Sequence, residues 1–263
     1  MKFSCCLEMI FLEVPFNERI YKAKEAGFDC IEFWLWENKD LSLLKKALDE
    51  TGLTVGIFQG NIRGRLIDKI DNEVYINDVN KSVETAKYLG AHNLFLMSDI
   101  MQEDRSVLET SYPINEEEKL ESTKNVLKHL IPSTEESEVH FVIEPLNTKI
   151  DHKGYSLNRS APAFQLIREI GHPYIRVLYD AYHMQIMEGD LINTIRKNID
   201  AIGYFHIADV PGRVQPGAGE INYRNVLKAL SDFGYQGIVG FEFTPAGGCS
   251  EQIVKNVLET IKP

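Results

Sequence analysis

Four hydrophobic runs of strand length each stop at a side chain able to bind a metal or move a proton: HFVIE at Glu144, RVLYD at Asp180, GYFH at His206 and IVGFE at Glu242. Any one of these could cap a loop or pair with a nearby base, but the same placement four times over describes a site. Three carboxylates gathered in a low-dielectric interior repel one another, and a divalent cation is the simplest compensation. Oxygen-rich ligation with one imidazole and no thiolate suits Mn²⁺ or Mg²⁺ and accommodates Co²⁺ or Zn²⁺. A cation holding a carbonyl oxygen and its neighbouring hydroxyl acidifies the carbon-bound proton and stabilises the developing enediolate. One carboxylate can then remove that proton. A second on the opposite face can return one at the other carbon or from the other side, giving isomerisation or epimerisation.

The elements that position these residues follow from their spacing. The four lie 36, 26 and 36 residues apart, each interval long enough for a loop, a helix, a second loop and the next strand. Eight β-rich runs are predicted near 2–7, 29–33, 53–58, 93–97, 139–144, 175–180, 202–207 and 237–242, with helices between them, one over about 73–89 and a charged one in NEEEKLESTKNVLKHLI. The acidic start of the latter reads as a solvated first turn favoured by the helix dipole. Gly27, Gly52, Gly90, Gly171 and Gly234 stand between helix and strand, where a left-handed cap ends a helix. The expected fold is a (β/α)8 barrel, in which residues at the carboxyl ends of all strands open onto one face. Strand parity places Val142 and His140 below Glu144, Leu178 below Asp180, Tyr204 below His206 and Gly240 below Glu242, so the four are not coplanar yet can surround one ion.

Composition agrees with one domain over residues 1–263, since no break, repeat, low-complexity tract or linker divides the chain. The net charge of −11, from 28 Lys+Arg against 39 Asp+Glu, repels nucleic acid and anionic membranes and favours a small-molecule substrate. Cys5, Cys6, Cys30 and Cys249 show no CxxC spacing, and the adjacent pair points to opposite faces of a strand, so no disulfide framework is expected. The first residues lack a sustained apolar run and a small-residue cleavage site, and no stretch approaches the roughly 18 apolar residues of a membrane span. The cytoplasm is the expected location.

Among other polar and aromatic residues, Glu32 reads as a buried structural carboxylate. Trp34 and Trp36 alternate with it and form either an aromatic wall over the substrate or packing under a loop. Asp209 and Glu188 read as exposed acidic loop residues, with orienting the site loops or holding the ligand residues from behind as the alternative. The GAG at 217–219 lacks the strand-to-helix phosphate-loop pattern and reads as a flexible turn or lid.

Over nearly its whole length the chain resembles the hydroxypyruvate isomerase branch of the xylose-isomerase-like, divalent-metal barrels, a group that also includes ketose 3-epimerases and apurinic endonucleases. The resemblance begins at LEMIFLEVPFNERIYKAKEAGFDCIEF and runs through EPLN (144–147), YDAYHMQIMEGDL (179–191), FHIADVPGRVQPGAGEINY (205–223) and GYQGIVGFEFTP (234–245), the last two being the most specific. It implies that Glu144, Asp180, His206 and Glu242 are the metal ligands and that Glu144 and Glu242 face each other across the substrate as proton-transfer groups. It also implies that His183 and Arg213 contact substrate, and that the protein is a homo-oligomer. Arg213 is a natural clamp for a substrate carboxylate, because its planar fork donates two parallel hydrogen bonds.

The expected activity is isomerisation of a small hydroxy-keto acid, hydroxypyruvate to tartronate semialdehyde, with a ketose 3-epimerase acting on a free sugar as the alternative. Two other classes compete. Apurinic-site DNA repair needs further histidines after the seventh strand, where this chain reads ADVPGRVQPGAG, and the acidic balance also opposes it. A catalytically silent sugar-binding or regulatory barrel is opposed by intact acid/base carboxylates.

Overall fold

The computed structural model describes residues 1–261, so Lys262 and Pro263 of the expected domain lie outside the described residues. Eight strands, β1 (Lys2–Cys6), β2 (Cys30–Glu32), β3 (Thr54–Gln59), β4 (Asn93–Leu96), β5 (His140–Ile143), β6 (Ile175–Asp180), β7 (Ile202–Ile207) and β8 (Ile238–Phe241), fall within a residue or two of the predicted runs. Every neighbouring pair is parallel, and β8 pairs with β1, closing a barrel in sequence order. Parallel neighbours need crossovers, and helices supply them, including Phe16–Ala26, Leu41–Thr51, Asn72–Leu89, Glu116–His129, Ser160–Ile170, Tyr223–Asp232 and Ser250–Ile261. This is a (β/α)8 TIM barrel in a single domain.

Local chemistry explains the joints. Gly27 and Gly52 end their helices at φ 96° and 69°, and nothing crowds the space a Cβ would occupy at either position, so backbone conformation alone demands glycine there. The run of acids at Glu116, Glu117 and Glu118 occupies a first helical turn as predicted, with Asn115 and Glu118 forming a reciprocal capping box. Outward faces of the strands pack with the helices in one large apolar core. Inside the barrel a second cluster forms around Ile57, Phe95, Met97, Val142, Leu178 and Tyr204. Among the described residues, no helix is long and apolar enough to cross a membrane.

Register fixes the heights of the site residues. Asp180 pairs with His206 and His206 with Gly240, so these three share a level, while Glu242 lies two residues beyond Gly240 and Glu144 directly follows β5.

Candidate active site

Glu144, Asp180, His206 and Glu242 converge at the carboxyl-terminal mouth, buried, each offering one ligand atom within 4.8 Å of the others. His206 Nδ1 stands 3.1 Å from Glu242 Oε2 and 3.7 Å from Glu144 Oε1. Asp180 caps the helix Ala181–Met187: its Oδ1 accepts from the backbone amides of Tyr182 (2.7 Å) and His183 (3.4 Å). That leaves Oδ2 free of hydrogen bonds, as are the buried Glu144 Oε1 and His206 Nδ1. Buried polar atoms are rarely left unpaired, and three inward-facing ligand atoms without partners fit a cation among them.

The charge balance says the same. Burial pushes the Glu144 carboxyl up to about 7, with Glu242 and Asp180 adding to the effect and His206 opposing it. Burial likewise raises Asp180 to about 6 against the pull of Arg213 and His206. Glu242 goes the other way. Burial opposes its ionisation, yet Arg213 and His206 hold it well below the usual carboxylate range. His206 is raised well above its ordinary value because Glu32 and Glu242 outweigh its own burial. The acids outnumber the bases, and a divalent cation would restore the balance.

The groups around this centre are held in turn. Glu242 accepts from the Trp34 indole at 2.8 Å and from Arg213 Nη2 at 2.5 Å. Arg213 also approaches Asp180 Oδ2 at 3.7 Å and lies 5.3 Å over the Tyr182 ring, while its buried Nε has no hydrogen-bond partner. Its backbone is left-handed, at φ 55°. Asp209 organises the loop that carries it, accepting from the amides of Val210, Gly217, Gly219 and Ile221 at 2.9–3.0 Å. A Cβ on Gly219 would lie 2.2 Å from the Val210 carbonyl oxygen, so only glycine fits there. The GAG segment is therefore a tied-down turn rather than a flexible lid.

His183 is buried with Nδ1 accepting from the backbone amide (3.2 Å) and side-chain amide (2.7 Å) of Asn147. A nitrogen that accepts a backbone N–H carries no proton, so the hydrogen of neutral His183 sits on Nε2. Burial and the Arg213 charge hold the ring neutral. Its Nε2 is 3.5 Å from Asp180 Oδ2. Glu144, His183, Arg213 and Glu242 line a cavity of about 570 Å³ together with Trp34, Phe95, Met97 and Met101.

All six residues singled out from the sequence therefore meet in one place, though Arg213 is engaged with Glu242 rather than free. The two tryptophans part company, since Trp34 lines the cavity whereas Trp36 donates to Ser82 on the helix Asn72–Leu89. Glu188 accepts from the Ser160 hydroxyl, outside the site. Sequence reasoning passed over Asn147, although EPLN contains it, and His152, whose ring lies 5.3 Å from that of His183 and which burial and Arg213 push down to about 4. It also passed over Tyr155, whose hydroxyl accepts from Ser98 N (2.9 Å) and donates to the Glu144 carbonyl (3.2 Å), joining the ends of β4 and β5. An isolated polar residue in a long loop carries no periodic signal that would have marked it.

The model of the xylose isomerase-like TIM barrel family matches residues 20–262. A 2-oxo-tetronate isomerase from Cupriavidus necator is 28% identical over 258 residues, covering 95% of each chain, and a hydroxypyruvate isomerase from Escherichia coli is 30% identical, covering 93% of this chain and 94% of that one. A solved structure of an AP endonuclease, family 2, from Brucella melitensis superposes with a TM-score of 0.88 at 28% identity, covering 98% of each chain. The chain belongs to the xylose isomerase-like TIM barrel family.

Proposed function

We propose that this member of the xylose isomerase-like TIM barrel family, an isomerase acting on small keto acids, converts hydroxypyruvate to tartronate semialdehyde with a divalent metal, Mn²⁺ or Mg²⁺, held by Glu144, Asp180, His206 and Glu242. The observation that carries this reading is the convergence of Glu144, Asp180, His206 and Glu242, whose ligand atoms lie within 4.8 Å of one another, with Glu242 alone of the two glutamates hydrogen-bonded to Trp34 and Arg213 among the described residues. When bound, the cation supplies Lewis acidity to the substrate's adjacent oxygens.

The chain's own groups account for the proton traffic. Glu242, held by Trp34 and Arg213, takes the proton from carbon 3. Glu144 returns one at carbon 2, and the hydroxyl proton passes between the two oxygens, so the product differs from the substrate only in where its hydrogens lie. His183 offers its Nε2 hydrogen to an oxygen that gains charge on the way. Arg213 reads the substrate carboxylate, and it can do so because its Nε is uncommitted and its position over Tyr182 is fixed. The site is the working end of a small-molecule enzyme rather than a DNA-repair centre, in keeping with the −11 charge.

A second reading has one observation in its favour: a cavity of about 570 Å³ has room for substrates longer than three carbons. The four-carbon 2-oxo acid and free ketoses are the compounds to compare. The test is to strip the protein with a chelator, reconstitute it with each divalent metal and follow all three substrates by NMR, together with Asp180→Ala and His206→Ala. The expected result is metal-restored turnover of a short keto acid that both variants lose. Full activity in the stripped protein removes the metal, and preference for an uncharged ketose replaces the isomerase with an epimerase.

A further inference from the structure

A TIM barrel ordinarily fills its interior with layers of branched apolar side chains. Beneath His206 this one does not. Glu32, the last residue of β2, is 3% exposed, and its Oε2 accepts a 2.6 Å hydrogen bond from the Tyr204 hydroxyl. Its other oxygen, Oε1, has no hydrogen-bond partner and faces His206 Nε2, which also has none, at 3.3 Å. The separation is within hydrogen-bond reach. A carboxylate is costly to bury unless its surroundings are built to take it.

Two glycines build that surrounding. A Cβ on Gly240 would lie 2.4 Å from Glu32 Oε2 and 2.6 Å from His206 Cδ2. A Cβ on Gly56 would lie 2.6 Å from the Tyr204 hydroxyl oxygen and 3.0 Å from Ser4 Oγ. Both strands must therefore lack a side chain at these points for carboxylate, phenol and imidazole to meet. The sequence encodes the contact by leaving space for it.

We infer that Glu32 is a positioning residue for His206, accepting the Nε2 hydrogen and so leaving Nδ1 as the bare nitrogen that faces Glu144 and Glu242. An imidazole that binds a metal through one nitrogen is fixed in tautomer and made more basic by an acceptor on the other. Tyr204, bonded to Oε2, keeps the carboxylate from turning away. The inference rests on the cation proposed above, but it concerns how this chain aims one ligand rather than whether the cation is there.

Two measurements test it. Stripped wild type, Glu32→Gln and Glu32→Asp are titrated with Mn²⁺ against a chelating dye, and ¹⁵N-histidine NMR of the Mg²⁺-loaded wild type reports which His206 nitrogen carries hydrogen. Glu32→Gln should bind Mn²⁺ about 10- to 100-fold more weakly, with Glu32→Asp in between, and His206 should be protonated at Nε2. A merely structural Glu32 would lower the melting temperature while leaving the affinity of the folded protein and the tautomer untouched. Affinity within about twofold of wild type in Glu32→Gln overturns the positioning role alone. If the variants do not fold, the wild-type spectrum decides, because hydrogen on Nδ1 overturns the inference. A wild type that binds no Mn²⁺ overturns both this inference and the cation reading.

Discussion

The ends of β5 and β8 carry the same residue on the same face of the barrel and give it opposite character. At β8, Glu242 meets a guanidinium, an indole N–H and an imidazole, and is held well below the usual carboxylate range although it is buried. At β5, among the described residues, Glu144 has only His206 within ion-pair reach, at 3.7 Å, and is raised to about 7. In the proposed reaction residue type does not assign acid and base; neighbours do, and most of those neighbours come from distant parts of the chain.

The largest effect should come from erasing either side of this contrast. Glu242→Gln and Glu144→Gln should each lose about 10²- to 10⁴-fold in turnover, measured as kcat on the reconstituted enzyme, and retained turnover in either one would take that residue out of the proton path.

Removing the cation on the β8 side comes next. Arg213→Ala should cost about 2–5 kcal/mol in kcat/KM for hydroxypyruvate and far less for an uncharged ketose of similar size, because a charged substrate group then goes unpaired. An equal loss on both substrates would mean that Arg213 serves Glu242 and does not read the carboxylate. Trp34→Phe keeps the cavity wall and deletes one hydrogen bond to an ionised group, so a smaller loss of about 1.5–3 kcal/mol in kcat is expected with KM little changed.

The smallest effect is on stability without metal. Glu144, Asp180 and His206 all have folded-state values raised above their ordinary ones, so the stability they contribute is present at low pH and declines as pH rises through those values, about 6 for Asp180 and about 7 for Glu144. Glu242, held low, contributes stability above its ordinary value that is lost only in strong acid. The metal-free protein should therefore weaken as pH rises from about 4 to about 7, between the ordinary and the raised values of the two carboxyls, while the rise in Tm on adding Mn²⁺ grows over the same range. Calorimetry with and without the ion checks this, and a metal-induced shift that shrinks as pH rises would contradict the charge assignments.

How much of this was legible in the sequence follows from the same contrast. Strands and their ends are periodic features, so HFVIE, RVLYD, GYFH and IVGFE announced both the barrel and the four convergent residues. The parity that set Gly240 below Glu242 was also readable, but not its consequence, since the space it leaves is filled by Glu32 from across the barrel. Trp34 and Trp36 looked equivalent because alternation says which face a residue takes and not how far the strand continues: β2 stops at Glu32, and the two indoles then follow separate paths to Glu242 and Ser82. Arg213 was found from its match to a motif, while its engagement with Glu242 depends on a loop built around Asp209, whose acceptor role toward four backbone amides leaves no pattern in the chain.

The division of labour between the two glutamates is tested most directly by incubating hydroxypyruvate with Glu144→Gln and Glu242→Gln in deuterated water and reading carbon 3 of the remaining substrate by NMR. If Glu242 removes the proton and Glu144 returns one, Glu144→Gln should exchange the carbon 3 hydrogen for deuterium without forming product, and Glu242→Gln should do neither. Exchange retained in Glu242→Gln and lost in Glu144→Gln would contradict the account and reverse the two roles.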